Sequence, residues 1–208
     1  MKIYFVRHGK TEWNLEGRFQ GYSGDSALLP QAVEEVQLLG KHLADRPLDA
    51  IYSSDLQRAE KTAQIIAQHN RHCQQVTTNS QLREWNFGQL EGTKIKDFKS
   101  AYPQEFFALK HKLTDFHSEL FGAESVEQVT QRFMEFIYSL KDTTAETVLI
   151  VSHGSVLTAS IHRLLGFPLD QLRHRGGLDN ASISILETTD FEHFTELAWN
   201  DTGYKAKQ

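Results

Sequence analysis

Two short apolar runs, each followed within two residues by a His-Gly pair, constrain the fold of this chain more than any other feature. The run IYFV ends at Val6 and leads to His8, while the run VLIV ends at Val151 and leads to His153. Continuous runs rich in β-branched residues are typical of strands that are buried on both faces. Such strands belong to parallel sheets with helices on both sides, so the pattern predicts an α/β fold.

The rest of the chain supplies helices and further strands for such a sheet. Ala50–Ser53 is a third strand candidate, and Ser54 or Asp55 is expected to cap the helix that follows it. Alternating apolar and polar residues on both sides of a turn at Asp190 predict a two-stranded ribbon. Other helices are predicted where apolar residues recur at helical spacing: Val33–Leu43, Val126–Leu140 after a Ser125 cap, and Val156–Leu165.

Residues 93–122 stand apart from this alternation of strands and helices. They are helical in composition but lack a strand partner, so we expect a cap inserted over one end of the sheet, within a single domain spanning residues 1–208. The cap interleaves lysines, among them Lys110, with aromatic residues that either pack inward or roof a site. His111 and His117 also lie in the cap and could approach the cleft.

Composition excludes several classes of function. The chain has 208 residues and a formal net charge of -5, which argues against nucleic-acid binding through a basic face. Cys73 is the only cysteine, so no disulfide can form within the chain, and the first apolar stretch is too short for a signal peptide or a membrane span. We therefore expect a cytoplasmic protein without a nucleic-acid or membrane partner. A strand at Phe194–Asn200 could lie at a sheet edge and pair two subunits into a homodimer.

Charged residues at the strand ends point to an anionic ligand. Arg7 and His8 follow the first strand, Arg58 lies in the helix after the second, and His153 follows VLIV. If the strands are parallel neighbours, these side chains meet in one crevice and repel each other unless an anion neutralises them. A phosphate dianion fits best, because a guanidinium group binds two phosphate oxygens at once. No metal or cofactor is expected, since the two histidines lack a third ligand at metal-binding spacing.

The two histidines and a carboxylate could then carry out phosphoryl transfer. One imidazole can attack phosphorus and form a phosphohistidine, while the other, if protonated, stabilises charge on the equatorial oxygens. Gly9 and Gly154 would let the backbone approach the ligand closely, with helix N-termini aimed at the same anion. Glu84, beside aromatic neighbours that would favour its protonated form, is the best proton donor, although the residues alone leave other acids open.

Five segments of the chain, taken in order, resemble the histidine phosphatase superfamily, also called phosphoglycerate mutase-like. The segments are Val6–Gly21, Tyr52–Ile66, Leu82–Gly92, Ala123–Phe133 and Val151–Leu157, which together extend over almost the whole chain. One Arg-His-Gly sequence alone would be weak evidence, whereas five segments in register are highly specific. The resemblance implies a three-layer α/β/α sandwich with a mixed sheet, and a metal-independent reaction through a phosphohistidine.

The resemblance also implies roles for individual residues. His8 matches the nucleophile and Glu84 matches the general acid and base, which decides between the acidic candidates. The rest of the phosphate pocket is matched by Arg7, Arg58 and His153. The substrate-binding residues are then Asn14 and the Gln20-Gly21 loop. Gly154 is a further candidate, because a glycine would let the backbone approach the ligand closely.

Three positions depart from the family pattern. Lys10 stands where a Glu usually follows Arg-His-Gly, and we expect its charge beside the pocket to tune activity rather than abolish it. Residues Ser23–Val36 lack the usual Asp-x-Pro-Leu-Thr pattern, which leaves the shape of that rim open. Ala123 replaces a common Gly, a change of little weight.

Three classes of function fit the resemblance. A phosphomonoesterase passes the phosphoryl group to water, whereas a cofactor-dependent phosphoglycerate mutase returns it to another hydroxyl and needs 2,3-bisphosphoglycerate. The family's mutases look longer, with a closing C-terminal tail, but the tail after Trp199 is short here, so we favour hydrolysis of a small phosphorylated metabolite. A regulatory protein that only binds phosphoryl groups usually lacks a catalytic residue, and none is missing. The cap lysines weakly favour a substrate with extra negative charge.

Overall fold

A computed structural model describes residues 1–206, and its centre is a mixed sheet of six strands. The order across the sheet is β3-β2-β4-β1-β5-β6. The first three neighbouring pairs are parallel, whereas β5 pairs antiparallel with both β1 and β6, so the predicted mainly parallel mixed sheet is confirmed. The strands are β1 (Lys2–Arg7), β2 (Ala50–Ser53), β3 (Val76–Thr78), β4 (Thr147–Ser152), β5 (Ile183–Glu187) and β6 (Thr195–Asp201).

Helices cover both faces of this sheet. The α-helices are α1 (Glu12–Glu16), α2 (Pro30–His42), α3 (Gln57–His69), α4 (Ile95–Ala101), α5 (Pro103–His111), α6 (Val126–Ser139) and α7 (Gly154–Leu164). Side chains alternate along β1, so Val6 packs with α2 and α3 in one core while Phe5 packs with α6 and α7 in the other. The three-layer α/β/α sandwich follows from this alternation. No helix within residues 1–206 is long and apolar enough to cross a membrane.

Local structure agrees with the sequence at one helix start and differs at another. Ser125 caps α6 as expected, because its hydroxyl accepts the Gln128 N–H and the Gln128 side chain accepts the Ser125 N–H. Neither Ser54 nor Asp55 caps α3, which begins at Gln57 without a side-chain cap. The Ser54 hydroxyl instead accepts the N–H of Leu56 in the preceding turn, and both carboxylate oxygens of Asp55 bind Arg83.

The segment 93–122 contains α4, α5 and two 3-10 helices, and its aromatic residues pack mostly inward. Phe98 lies 4% exposed at the centre of a cluster of aromatic rings, with centroids 5.3–6.4 Å from those of Phe19, Tyr102, Phe106 and Phe121. His111 and His117 are exposed, and His117 pairs with Glu105. The cluster ties the segment to the main core under α6.

Truncation of Phe133 is expected to destabilise the fold strongly. Phe133 is fully buried between α6 and the sheet, with its ring centroid 6.2 Å from that of Phe5. Phe133→Ala should lower the free energy of unfolding by about 3–5 kcal/mol, measured by urea denaturation, because it leaves a cavity in the core. The matched control is Phe107→Ala, since Phe107 is 62% exposed and its loss should cost less than about 1 kcal/mol. Equal losses in the two variants would contradict this assignment of the core.

Candidate active site

The parallel pairing of β1 with β4 brings the two His-Gly pairs together. Arg7 lies opposite Ser152 in the register, and the His8 N–H donates to the Ser152 carbonyl at 3.0 Å. The residue that follows each strand is a histidine, and the two histidines lie side by side. The ring centroids of His8 and His153 are 5.1 Å apart. These strand ends lie at one edge of the sheet, where ligands bind in open α/β folds.

The surroundings of His8 fix the state of its imidazole. The residue is 3% exposed, and its Nδ1 atom lies 2.7 Å from the Gly9 carbonyl oxygen. A carbonyl oxygen can only accept, so Nδ1 carries the proton and Nε2 of the neutral ring keeps a lone pair. Burial, together with the charges of Arg58 and Arg7, holds the pKa of His8 well below its ordinary value of 6.5.

His153 is buried completely and lies at the N-cap of α7. Both of its ring nitrogens are buried without a hydrogen-bond partner among residues 1–206. Burial, together with the charges of Arg58 and His8, lowers the pKa of His153 well below 6.5. An anion beside this ring would favour its protonated form, because the attraction between opposite charges offsets the desolvation.

Arg58 is held by the loop that departs from the family pattern. Its guanidinium donates to the carbonyls of Gly21 at 2.8 Å and Gly24 at 2.7 Å and pairs with the Asp25 carboxylate at 3.1 Å. Its Nε atom is buried without a partner among the described residues. The rim that the sequence left open therefore holds Arg58 in place.

The same loop is fixed from behind by Glu91. The Glu91 carboxylate accepts the backbone N–H groups of Tyr22, Ser23 and Gly24 at 2.8–2.9 Å. Carboxylates that accept several backbone N–H groups form strong, charge-assisted hydrogen bonds. Sequence reasoning missed this residue, because a Glu in a turn-rich segment carries no sign of which backbone amides it will meet.

Arg7 depends on the glycine that follows His153. The Arg7 Nη1 atom donates to the Leu178 carbonyl, and its Nε is buried without a partner among residues 1–206. A Cβ on Gly154 would lie 2.9 Å from the Arg7 Nε, so glycine here makes room for the guanidinium. A Cβ on Gly9 would instead meet Val36 at 3.1 Å. Both glycines therefore relieve contacts within the protein, and their close approach to a ligand stays a prediction.

Glu84 occupies the N-terminus of α7. Its carboxylate accepts the N–H groups of Trp85 and Val156 at 2.8 Å and of Ser155 at 2.9 Å, and the residue is 5% exposed. The sequence predicted that the free N–H groups at this helix end would face a bound anion. The structure differs, since the carboxyl oxygens of Glu84 accept the N–H groups of Ser155 and Val156 in the first turn of α7.

The backbone that carries Glu84 is held by Arg132. The Arg132 guanidinium donates to the carbonyls of Arg83 and Glu84 at 2.8 and 2.9 Å, and it pairs with both carboxylate oxygens of Glu124 at 2.8 and 2.9 Å. The Glu124 carboxylate also accepts the Asn86 N–H, so Arg132 and Glu124 together hold the backbone of residues 83–86. Both residues lie within the fourth segment of family resemblance, for which the sequence alone suggested no role.

A cavity of about 190 Å³ opens above this cluster. Among the predicted site residues, those that line it are Arg7, Asn14, Gln20, Glu84 and Gly154. The lining also includes Phe106 and Lys110 from the cap segment, and Arg18 and Arg173, for which the sequence suggested no role. The other predicted site residues, His8, Gly21, Arg58 and His153, are not among the lining residues. Lys10 is exposed and is not part of it, so the structure does not support the expected charge beside the pocket.

Hydrogen bonds orient the two amide side chains in the lining. The Asn14 Oδ1 accepts from Asn180 Nδ2 at 3.2 Å, which leaves the Asn14 Nδ2 group available to donate. The Gln20 amide is bound on both sides, to Thr11 and Ser26. Within residues 1–206 no group of three or more His, Cys, Asp or Glu residues is placed to hold a metal ion.

Loss of Glu91 is expected to weaken anion binding at this site. Glu91→Ala frees the loop that positions Arg58, so affinity for inorganic phosphate, measured by titration calorimetry, should fall about 10- to 100-fold. Glu91→Gln, which keeps one acceptor oxygen, should lose less. The matched control is Glu34→Ala, because Glu34 is exposed on α2 and should leave the affinity unchanged. A folded Glu91→Ala variant with wild-type affinity would contradict this role.

Comparison with known proteins agrees with the geometry. The family model of the histidine phosphatase superfamily (branch 1) matches residues 3–202. The chain is 34% identical over 208 residues to a metal-independent phosphoserine phosphatase from Arabidopsis thaliana, covering 98% of this chain and 82% of the relative. It is also 32% identical over 207 residues to a probable phosphoglycerate mutase GpmB from Salmonella paratyphi A, covering 98% and 90%.

Solved structures show the same fold. The structure of YhfR from Bacillus stearothermophilus superposes with a TM-score of 0.84 at 30% identity and covers 96% of each chain. A mycobacterial glucosyl-3-phosphoglycerate phosphatase superposes with a TM-score of 0.86 at 26% identity, covering 96% of this chain and 98% of that one. From its fold, its family match and its relatives, this chain belongs to the histidine phosphatase superfamily and is a phosphatase.

Proposed function

We propose that this chain is a metal-independent phosphomonoesterase that hydrolyses a small phosphorylated metabolite through a phosphohistidine on His8. One observation carries the proposal: the contact between Nδ1 of His8 and the Gly9 carbonyl oxygen at 2.7 Å. That hydrogen bond leaves the Nε2 lone pair as the nucleophile of a neutral ring. The lowered pKa of His8 keeps the ring in this reactive form at neutral pH.

In this mechanism, three neighbouring groups bind the phosphoryl group. The Nε atoms of Arg7 and Arg58 and the ring nitrogens of His153 are buried without partners among residues 1–206, and all belong to cationic or potentially cationic groups. They would donate to the phosphoryl oxygens, and the dianion would in turn favour protonated His153. Charge that develops on the equatorial oxygens is stabilised by these donors, which is the main form of catalysis in phosphoryl transfer.

Glu84 would serve as the proton donor in the first step and the proton acceptor in the second. The leaving alkoxide takes a proton from Glu84 as the P–O bond breaks and the P–N bond to His8 forms. Glu84 then takes a proton from a water molecule whose oxygen bonds to phosphorus as the P–N bond to His8 breaks. Inorganic phosphate leaves, and both residues return to their starting state. Its position in the cavity lining supports this role, and its three backbone hydrogen bonds fix the geometry.

The remaining predicted residues would bind and border the substrate. Asn14 can donate its Nδ2 group to the phosphoryl oxygens, while Gln20 and Gly21 shape the loop beside them. Gly154 lines the cavity and would border the substrate, and its lack of a side chain also makes room for Arg7. Since the relative named as a probable phosphoglycerate mutase is 32% identical, transfer to a second hydroxyl is the alternative outcome that the assay has to include.

We further propose that the enzyme acts in the cytoplasm and needs neither a nucleic-acid nor a membrane partner. The single cysteine, Cys73, is a free thiol, which fits a reducing compartment. The net charge of -5 does not favour binding to polyanions.

The proposal is tested by trapping the intermediate and assaying a panel of phosphomonoesters with and without a metal chelator. Chelator should not change the rates, and quenching during turnover should yield a base-stable, acid-labile phosphoprotein whose phosphate maps to His8. His8→Ala should lower kcat more than about 1,000-fold and abolish labelling, because no other nucleophile replaces the imidazole. The matched control is His111→Ala, since His111 is exposed on α5.

Three outcomes would contradict the proposed function. Near wild-type turnover by His8→Ala, or activity that vanishes with chelator, would exclude the metal-free route through His8. Efficient isomerisation of 3-phosphoglycerate with added bisphosphoglycerate, accompanied by little hydrolysis, would assign the chain to the mutases instead.

Replacement of Glu84 is expected to affect poor leaving groups far more than good ones. An aliphatic alkoxide needs a proton as it departs, whereas p-nitrophenolate is stable without one. Glu84→Gln should therefore lower kcat for glycerol phosphate about 100-fold or more, and lower the first step with p-nitrophenyl phosphate much less, as measured by the burst of p-nitrophenol. A loss in the p-nitrophenol burst rate as large as the loss in kcat for glycerol phosphate would exclude Glu84 as the acid.

A further inference from the structure

The cavity carries more positive charge than one phosphoryl group requires. Its lining includes the cationic residues Arg7, Arg18, Lys110 and Arg173, and Glu84 is the one carboxylate among the lining residues. The mechanism uses Arg7 for the phosphoryl group. The proposed mechanism assigns no role to the other three cations, Arg18, Lys110 and Arg173.

Arg18 is accounted for by its own contacts. Its Nε pairs with Glu16, and its Nη1 donates to the Gly92 carbonyl at 2.8 Å. This arginine ties α1 to the turn at residue 92 and needs no ligand to be stable. Lys110 and Arg173 are the cations that remain.

Arg173 is buried and lacks a partner for part of its guanidinium. It is 9% exposed, and its Nε atom is buried without a hydrogen-bond partner among residues 1–206. It lies in the connection between α7 and β5 and lines the cavity beside Gly177 and Leu178. Burial lowers the pKa of Arg173, a shift that Glu84 opposes and Arg7 reinforces. A desolvated guanidinium without a full set of acceptors is costly unless an anion binds it.

Lys110 contributes a second charge to the same cavity from α5. Its side chain lines the cavity and also reaches solvent, so its ammonium group can meet a ligand without a conformational change. Partial desolvation, followed by the charges of Arg173 and Arg7, lowers the pKa of Lys110, which agrees with its nearness to those cations. Arg173 and Lys110 thus come from different parts of the chain and line the same cavity.

The remainder of the lining limits what the ligand can be. Phe106, Leu109 and Leu178 are apolar, and the cavity of about 190 Å³ is smaller than the pockets of about 300–1,000 Å³ that take drug-sized ligands. A compact molecule with a short carbon body fits this space. A guanidinium fork binds a planar carboxylate through two parallel hydrogen bonds, and a carboxylate occupies less of a small cavity than a second phosphate does.

We propose that Arg173 and Lys110 form a second anion subsite, which selects small phosphomonoesters that carry a carboxylate. The inference rests on the proposed function, because it assigns the non-phosphate end of the same substrate. The phosphoryl group lies over His8, Arg7 and Arg58, and the carboxylate binds Arg173 with the ammonium of Lys110 beside it. The apolar residues between the two subsites contact the carbon body.

The test compares substrates that differ only at this second group. O-phosphoserine is paired with O-phosphoethanolamine, and 3-phosphoglycerate is paired with glycerol 3-phosphate. In each pair the first member has the carboxylate and the second lacks it. The wild-type enzyme should prefer the carboxylated member by at least about tenfold in kcat/KM, which is the size expected of one charge-assisted contact. Fructose 1,6-bisphosphate and fructose 6-phosphate form a third pair, in which the extra group is a phosphate.

Substitution of the two cations should remove the preference. In Arg173→Met and Lys110→Met the ratio of kcat/KM within each carboxylate pair should fall about tenfold or more, toward equal use of the two members, and Arg173→Lys should lose part of that ratio. Matched controls are Arg163→Met on α7 and Lys112→Met after α5, both of exposed residues, and they should keep the wild-type ratio.

Three results would overturn this inference. A wild-type enzyme that hydrolyses both members of the carboxylate pairs equally well has no carboxylate subsite. Equal losses by Arg173→Met on both members would show that Arg173 acts on the phosphoryl group, and discrimination confined to the fructose pair would show a second phosphate site. Failure of the proposed function is distinct, since then no member of any pair would be hydrolysed in a manner that depends on His8.

Discussion

The pairing of β1 with β4 is the interaction on which the rest of the site depends. Because the strands are parallel and in register, the residue after each strand emerges at the same height, and His8 and His153 come to lie side by side. The His8 N–H to Ser152 carbonyl bond at 3.0 Å continues the ladder one step past the strand. A shift of one residue would turn every side chain of β1 to the opposite face and move Arg7 and His8 out of position.

Burial of several basic side chains at this edge of the sheet lowers their pKa values and requires hydrogen-bond acceptors for them. Arg7, Arg58, His8 and His153 are all largely desolvated, and the pKa of each is lowered by that burial. These side chains are held more by backbone carbonyl groups than by acidic side chains. The carbonyls that accept hydrogen bonds from the cluster are those of Gly9, Gly21, Gly24 and Leu178. Neutral acceptors of this kind hold the cations in place while leaving most of their charge for a ligand.

The supporting residues repeat one arrangement, in which a charged side chain fixes a turn through backbone groups. Glu91 accepts three consecutive N–H groups of the loop that carries Gly24, and Arg132 donates to the carbonyls that flank Glu84. Both turns lie between regular elements of secondary structure. Positioning of this kind determines whether the groups that act on the substrate lie within reach of it.

Much of the fold could be predicted from the sequence, because its signals are local. The strands at β1 and β4 are continuous apolar runs, and the Ser125 cap and the C-terminal ribbon follow from patterns within a few residues. The convergence of the two histidines follows from the same patterns once parallel pairing is assumed. Predictions failed where a distant partner decides the outcome: Arg83 binds Asp55 and so removes a helix cap, and Glu84 binds the N–H groups of α7.

Some residues of the site carry no sequence signal at all. Glu91, Arg132 and Arg173 are ordinary charged residues in their local sequence, and their importance arises from tertiary contacts. Lys10 is the reverse case, since its place beside the Arg-His-Gly sequence suggested a role in the pocket, yet its side chain is exposed. Neighbourhood along the chain does not determine on which side of the backbone a side chain emerges.

The central claim is that the phosphoryl group reaches water in two displacements, by way of a covalent bond to a histidine. Stereochemistry at phosphorus tests it most directly, through hydrolysis of a substrate made chiral with oxygen isotopes and sulfur. Each in-line displacement inverts the phosphorus centre, so two of them give net retention of configuration, which is the result that this account predicts. Net inversion would show a single direct attack by water and would contradict it.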